Sequence, residues 1–200
     1  MKQFSKITLS VLLVASAALT SCSKDEAAVI APTPAPVKAS IYTRLGGTTM
    51  VADPDNAGQM IEQGRLSFRK VVKSTIGLIV ADVQTNAAGN LSAHFAPVLA
   101  ETGTTQATSL AVLTDNLTDF FSFNTGGTNA VNAYSGLSMT AAHNPATNSR
   151  MGIKSNNAAY TKFEGYVGAA ANANGVAANT ELYTDVVAVL ESLRTTIVQM

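Results

Sequence analysis

Long stretches of this 200-residue chain carry apolar side chains at the spacing of an α-helix. The clearest is Leu66–Ala81, whose stripe consists of Phe68, Val71, Val72, Thr75, Ile76, Ile79 and Val80. Its β-branched residues would also suit a strand, but a run of this length favours a helix. This pattern is the strongest constraint on the fold, and it favours a helical protein.

Three further segments repeat the pattern and together predict an all-α protein. Residues 104–123 have an apolar stripe formed by Leu110, Leu113, Leu117, Phe120 and Phe121. Residues 156–171 have one formed by Tyr160, Phe163 and Val167. Residues 180–198 have one formed by Leu182, Val186, Val189, Leu190, Leu193 and Ile197. We also expect a short first helix over residues 41–47, ended by Gly46 and Gly47. Residues 50–64 should contain a turn at Asp53–Asn56 and one helical turn near Met60.

A segment around His143 combines helix signals with a candidate metal ligand. Ser138 can cap a helix, because its hydroxyl can accept a hydrogen bond from an N–H of the first turn. Met139 and His143 are four residues apart and therefore share one helical face. The Asn144–Pro145 pair should end the helix at or just after His143. From spacing alone, an exposed or core histidine and a metal ligand are both open.

Two sequence motifs, one at the start of the domain and one around His143, resemble motifs of group 1 truncated haemoglobins. Ile41-Tyr42-Thr43-Arg44-Leu45-Gly46-Gly47 resembles the opening signature of that family. Tyr134-Ser135-Gly136, then Met139 and His143, then Gly152-Ile153, resemble its proximal-histidine region.

Two more motifs follow in the correct order. Phe120-Phe121 before Gly126-Gly127 resembles the family's distal helix and glycine turn. Gly175-Val176 before the helix that ends near Arg194 resembles its last helix. The resemblance extends roughly from Ile41 to Val198.

The resemblance implies a two-over-two helical sandwich around haem b, with His143 as the proximal iron ligand. Haem iron binds a neutral imidazole nitrogen, and the second ring nitrogen should donate to a nearby carbonyl or hydroxyl. The apolar walls are expected to come from Phe95, Leu113, Leu117, Phe121 and Met139. His94 adjoins Phe95, and both an exposed loop histidine and a distal iron ligand are open for it.

The distal side departs from the family pattern. Aligning residues 71–82 on the family's second helix puts Ile76 where a tyrosine typically hydrogen-bonds dioxygen, and Leu117 falls where a glutamine often assists. Such a hydrogen bond contributes about 1.5–3 kcal/mol, so we expect oxygen retention roughly 10- to 100-fold weaker. An apolar distal pocket, faster oxygen release and easier oxidation of ferrous iron should follow. Polarity would return if Thr75 or Asn116 pointed inward.

Residues 1–21 are predicted to be a lipoprotein signal peptide, with a basic start and an apolar run, residues 7–19, too short for a comfortable membrane span. Leu19-Thr20-Ser21-Cys22 is typical of a lipobox, so Cys22 is the predicted lipidation site and membrane anchor. The alternative is an ordinary secretory signal with an incidental cysteine. Because Cys22 is the only cysteine, no internal disulfide can form. Residues 22–40 are a Pro/Ala-rich tether, and residues 41–200 the truncated-globin-like domain.

The composition argues against several classes of function. Loss of the signal peptide leaves 11 basic and 13 acidic residues without a basic patch, so nucleic acid is not an expected partner. The chain has two histidines and no nucleophile elbow, which gives a hydrolase little support. It also has no flavin or nicotinamide motif, so any reduction of iron would require an unknown electron donor.

These observations favour an envelope-anchored haem protein that binds oxygen or another diatomic gas. Nitric oxide dioxygenation is the enzymatic variant, and it ranks lower because it requires oxygen that persists at the iron. The alternative is a haem-free helical lipoprotein with a structural or interaction role. A globin scaffold that had lost its cofactor would keep the same apolar helices.

Ser23-Lys24-Asp25-Glu26 resembles the short charged signals that send some lipoproteins to the outer face of the outer membrane. We therefore expect the domain to face the cell exterior. Protease treatment of intact cells should remove it. Protection of the protein from protease would contradict surface exposure.

Overall fold

The structure, a computed structural model, describes residues 37–200, so the predicted signal peptide, Cys22 and most of the tether lie outside the described residues. Seven α-helices occur within the described part: α1 (Ile41–Arg44), α2 (Gln63–Gln84), α3 (Ser92–Leu99), α4 (Gly103–Asn124), α5 (Met139–Ala142), α6 (Asn157–Ala173) and α7 (Glu181–Ile197). Two short strands, β1 (Met50–Ala52) and β2 (Met60–Glu62), form the sheet that is present there. The prediction of an all-α protein is confirmed apart from this hairpin.

Helix α2 is the centre of the packing. Its buried side chains are spaced as the sequence predicts, with Phe68, Val72, Thr75 and Ile79 on the inner face. This face contacts both α4 and α6, and α6 in turn contacts α7. Among residues 37–200, no helix is both long enough and apolar enough to cross a membrane.

The hairpin corrects the prediction for residues 50–64. A helical turn near Met60 is wrong, because Val51 pairs with Ile61 and Ala52 with Met60 in an antiparallel ladder. The predicted turn is present, and the Asp53 carboxylate accepts a hydrogen bond of 2.9 Å from the Asp55 N–H. The turn places the two strands opposite each other. Their N–H and C=O groups therefore pair across the ladder instead of within a helix.

One other boundary differs from the prediction, and one helix was not predicted. Helix α1 ends at Arg44, before Gly46 and Gly47, whose φ angles of 111° and 54° lie in the left-handed region. Helix α3 forms within residues 82–100, a stretch that lacks a regular apolar period in the sequence. Its existence places His94 in a helix rather than in a loop.

Asp53 also fastens the hairpin to α2. Its carboxylate forms an ion pair with Arg69 and accepts a 3.0 Å hydrogen bond from the Asn56 side-chain amide. The Arg69 guanidinium, followed by Asn56, holds the pKa of Asp53 well below its usual range. The hairpin is therefore anchored by a carboxylate that is ionised at neutral pH.

A buried polar network connects α1, β2 and the segment before α5. The Tyr42 hydroxyl donates to the Glu62 carboxylate. The Asn132 side chain donates to both groups at 3.0 Å, and the Asn129 side chain donates to Glu62 at 2.6 Å. Burial opposes ionisation of Glu62, but these hydrogen bonds outweigh it and lower the pKa. Burial and the nearby carboxylate raise the pKa of Tyr42 to about 12, so its hydroxyl keeps its proton.

Replacing Tyr42 with Phe should destabilise the fold by about 1–3 kcal/mol, because Glu62 and Asn132 each lose a buried hydrogen-bond partner. Chemical denaturation followed by circular dichroism measures the change. Tyr183→Phe is the matched control, since the Tyr183 hydroxyl forms no hydrogen bond within residues 37–200. Equal stability of Y42F and the parent chain would contradict a stabilising role for the network.

Replacing Asp53 with Asn should lower the melting temperature at pH 7. A carboxyl whose pKa is lowered by folding stabilises the protein above its unfolded pKa of about 3.9, and this stabilisation is lost as the pH falls below that value. The difference between D53N and the parent should therefore shrink as the pH is lowered from 7 towards 3. Asp115→Asn, on the exposed face of α4, is the control. A difference independent of pH would exclude the ion pair as the cause.

Candidate functional site

A cavity of about 280 Å³ lies among α3, α4, α5, α6 and the end of α7. Its volume is near the lower end of the range for small-molecule sites, about 300–1,000 Å³. The walls are mostly apolar, and both histidines of the chain line it. We call it the histidine cavity. Five of the predicted site residues meet there, namely Phe95, Leu113, Leu117, Met139 and His143.

The residues next to His143 begin and end α5 where the sequence predicts. The Ser138 hydroxyl accepts a 3.3 Å hydrogen bond from the Ala141 N–H and begins α5. His143 is the residue at which α5 ends, directly before Asn144 and Pro145. The helix is only four residues long, so neighbouring segments must hold it in place.

The ring of His143 has a defined tautomer. Its Nδ1 lies 2.8 Å from the carbonyl oxygen of Met139. A carbonyl can only accept, so Nδ1 carries the hydrogen and Nε2 keeps its lone pair. Burial lowers the pKa of His143 and favours this neutral form, although the Met139 carbonyl acts in the opposite direction. The prediction that one ring nitrogen donates to a nearby carbonyl is confirmed.

The loop after His143 supports α5. The Thr147 hydroxyl donates to the carbonyl of Ala141 at 2.7 Å, and the Asn148 side chain donates to that of Ala142 at 2.7 Å. These bonds satisfy carbonyls that the end of a helix leaves unpaired. Thr147 and Asn148 therefore cap the helix that carries the histidine.

The C-terminal segment holds α5 from another direction. The Gln199 side chain donates to the carbonyl of Thr140 at 2.9 Å. The Gln199 backbone N–H donates to the carbonyl of Ser155, also at 2.9 Å. The position of His143 thus depends on contacts with two separate parts of the chain.

Helix α4 provides the wall formed by Leu113 and Leu117. Both side chains are only half-buried although they belong to the apolar stripe, because they border the histidine cavity. The fully buried positions of the helix are instead small hydroxyl residues such as Thr118 and Ser122. Asn116 also lines the cavity and gives this wall an amide group.

The structure does not bring Phe121 or Ile76 to the histidine cavity. Successive helical residues are rotated by about 100°, and Phe120 takes the cavity position while Phe121 stacks on Phe68 with ring centres 6.2 Å apart. Thr75 and Phe121 line a second cavity of about 70 Å³, and Ile76 lines neither. Phe121, predicted as an apolar wall, and Ile76, predicted on the distal side, therefore do not line the histidine cavity.

The sequence left two interpretations open for His94, an exposed loop histidine and a distal iron ligand. His94 is 8% exposed, so the interpretation as an exposed loop histidine is wrong. Neither ring nitrogen has a hydrogen bond of good geometry within the described residues, although the Lys154 carbonyl lies close enough to the ring to act on its pKa. Burial lowers the pKa of His94, with a smaller contribution from His143, while the Lys154 carbonyl opposes the shift. No pattern in the sequence signals this burial, because it depends on the loop that packs over α3.

The donor groups in the cavity fit a haem better than a bare metal ion. Within residues 37–200, no three His, Cys, Asp or Glu side chains gather into a metal site. A porphyrin supplies most of the iron ligands itself and needs only one or two from the protein. His143 presents an unprotonated nitrogen, and the surrounding walls are mostly apolar.

The comparisons with known proteins give no further information about this site. No protein-family model, curated protein or solved structure matches the chain.

Proposed function

We propose that this chain is a truncated-globin-type protein that holds haem b and binds oxygen or another diatomic gas. The observation that carries the proposal is the state of His143, whose Nδ1–H is held by the Met139 carbonyl beside an apolar cavity. That bond leaves Nε2 as a neutral donor, which is the form that haem iron requires. When bound, haem would supply an iron atom with a position for a gas molecule.

The helix packing supports the two-over-two arrangement. Helix α2 contacts α4, α6 contacts α7, and the two pairs meet through the contact of α2 with α6. The histidine cavity lies beside these elements and is reached by residues of α4 and α6. A sandwich of two helix pairs would leave room for a flat cofactor near their common edge.

Individual residues have separate roles in this proposal. His143 would be the proximal ligand, and Phe95, Leu113, Leu117 and Met139 would form walls that exclude water. The Asn116 amide would supply limited polarity on the side where the family carries tyrosine and glutamine. Because the cavity lacks the family's tyrosine and glutamine, bound oxygen would be held weakly, and gas binding is favoured over nitric oxide dioxygenation, which requires oxygen that persists at the iron.

The proposed cellular location of the domain is based on the sequence. Lipidated Cys22 would anchor it to the cell envelope, at the outer membrane, and the tether would separate it from the bilayer. An electron donor of unknown identity would keep the iron ferrous.

One observation favours the alternative of a haem-free helical lipoprotein with a structural or interaction role. The histidine cavity is small for a cofactor of the size of haem. Binding of haem would therefore require its walls to move apart.

The proposal predicts that the full chain, purified in detergent, takes up hemin and shows a strong Soret band. His143→Ala should lose or shift this band and weaken hemin retention by at least about tenfold, because one iron ligand is removed. Absorption titration and transfer of hemin to an apoprotein acceptor measure both effects.

Thr140→Ala is the matched control, because this exposed side chain lies on the same short helix and forms no hydrogen bond of its own within residues 37–200. It should behave like the parent. A parent chain that stays colourless with added hemin would overturn the proposal and leave the haem-free alternative.

A further inference from the structure

The histidine cavity has the size and the lining that suit a small aromatic molecule. An apolar cavity of about 150 Å³ holds one molecule of benzene. At about 280 Å³, the histidine cavity therefore has room for one ring with a substituent or for two fused rings. Aromatic side chains favour contacts with other aromatic rings, and five of them line the cavity, namely Phe95, Phe120, Tyr134, Tyr160 and Phe163.

Two polar groups in these walls form no hydrogen bond within residues 37–200. Nε2 of His143 keeps its lone pair, because the Met139 carbonyl holds the hydrogen on Nδ1. The Ser109 hydroxyl belongs to a residue that is only 2% exposed, and it has no partner there. Buried polar groups are nearly always hydrogen-bonded. The two groups therefore favour a ligand that carries a polar atom.

The chemistry of these groups selects a neutral hydroxyl. Nε2 of His143 can only accept a hydrogen bond, and the Ser109 hydroxyl can donate or accept, so a ligand hydroxyl can pair with either. A carboxylate has no proton to give Nε2, and its charge would lose water among mostly apolar walls. An aromatic hydrocarbon would leave both groups unpaired.

The rim of the cavity is apolar as well. Val112 and Leu137 line the cavity, yet they are 48% and 47% exposed. Arg150 is the charged residue in the lining, and its guanidinium lies 3.9 Å from the carboxylate of Glu101. An uncharged aromatic molecule can therefore enter over apolar side chains.

We propose that the haem-free form of this chain binds a small, uncharged aromatic alcohol in the histidine cavity. The rings would fill the apolar part, and the hydroxyl would donate a hydrogen bond to Nε2 of His143. The inference goes beyond the proposed function, because it concerns the chain without a cofactor and involves no covalent step.

The first test uses phenol as the probe and nuclear magnetic resonance of the haem-free full chain in lipid nanodiscs. The chain has two histidines, so isotope-labelled ring nitrogens can be assigned individually. Phenol should move the Nε2 signal of His143 in the direction of an accepted hydrogen bond, and the change should saturate. Toluene, which has no hydroxyl, should not produce this change.

The second test measures affinity by calorimetry, with protein-free nanodiscs as the blank. His143→Leu removes Nε2 but keeps an apolar side chain. H143L should bind phenol about five- to tenfold more weakly, because one hydrogen bond is lost, and should bind toluene at least as well as the parent. Val186→Ala is the matched control, because Val186 lines the second cavity and not the histidine cavity. V186A should bind both probes as the parent does.

Several outcomes would overturn the inference. They are a parent that binds no phenol, a phenol response confined to the signals of His94, and an equal loss of phenol and toluene binding in H143L. The resonance test needs no variant, so it decides the matter even if H143L does not fold. Failure of the proposed function is seen separately, as a chain that stays colourless with added hemin.

Discussion

The buried carboxylate of Glu62 is the constraint on which the rest of the structure depends. A charge removed from water destabilises a protein unless hydrogen bonds and opposite partial charges replace the solvent. Its partners are Tyr42 in α1 and the side chains of Asn129 and Asn132. One group therefore joins the start of the domain, the hairpin and the chain that leads into α5. The path of the segment that carries His143 is set by a site well away from the histidine itself.

Features governed by neighbours in sequence could be predicted, and features governed by distant contacts could not. The end of α5 at His143 follows from Ser138 and Pro145, which act within one helical turn. The hairpin was missed because its ladder joins residues 50 and 62 across a turn. The burial of His94 depends on Gly152, far along the chain. Periodicity predicts α4, but it does not separate Phe120, which faces the histidine cavity, from Phe121, which faces α2.

The proposed cofactor site differs from the pattern of truncated haemoglobins in how it would retain a gas. Leu113 and Leu117 offer no hydrogen bond to a bound molecule, and Ile76 lies outside the cavity. The polar side chains that line the cavity include those of Asn116, Asn148 and the two histidines. In this arrangement, a bound gas would be held without the tyrosine and glutamine hydrogen bonds of that pattern.

The contacts of Gln199 have a consequence for the order of assembly. This residue bonds to Thr140 and to Ser155, on either side of the loop that follows His143. Synthesis proceeds from the N-terminus, so both bonds form only after the chain has been made through residue 199. Helices α2 and α4 can associate earlier, while the segment that carries His143 is still unsupported. Any cofactor held by His143 would therefore be inserted after translation.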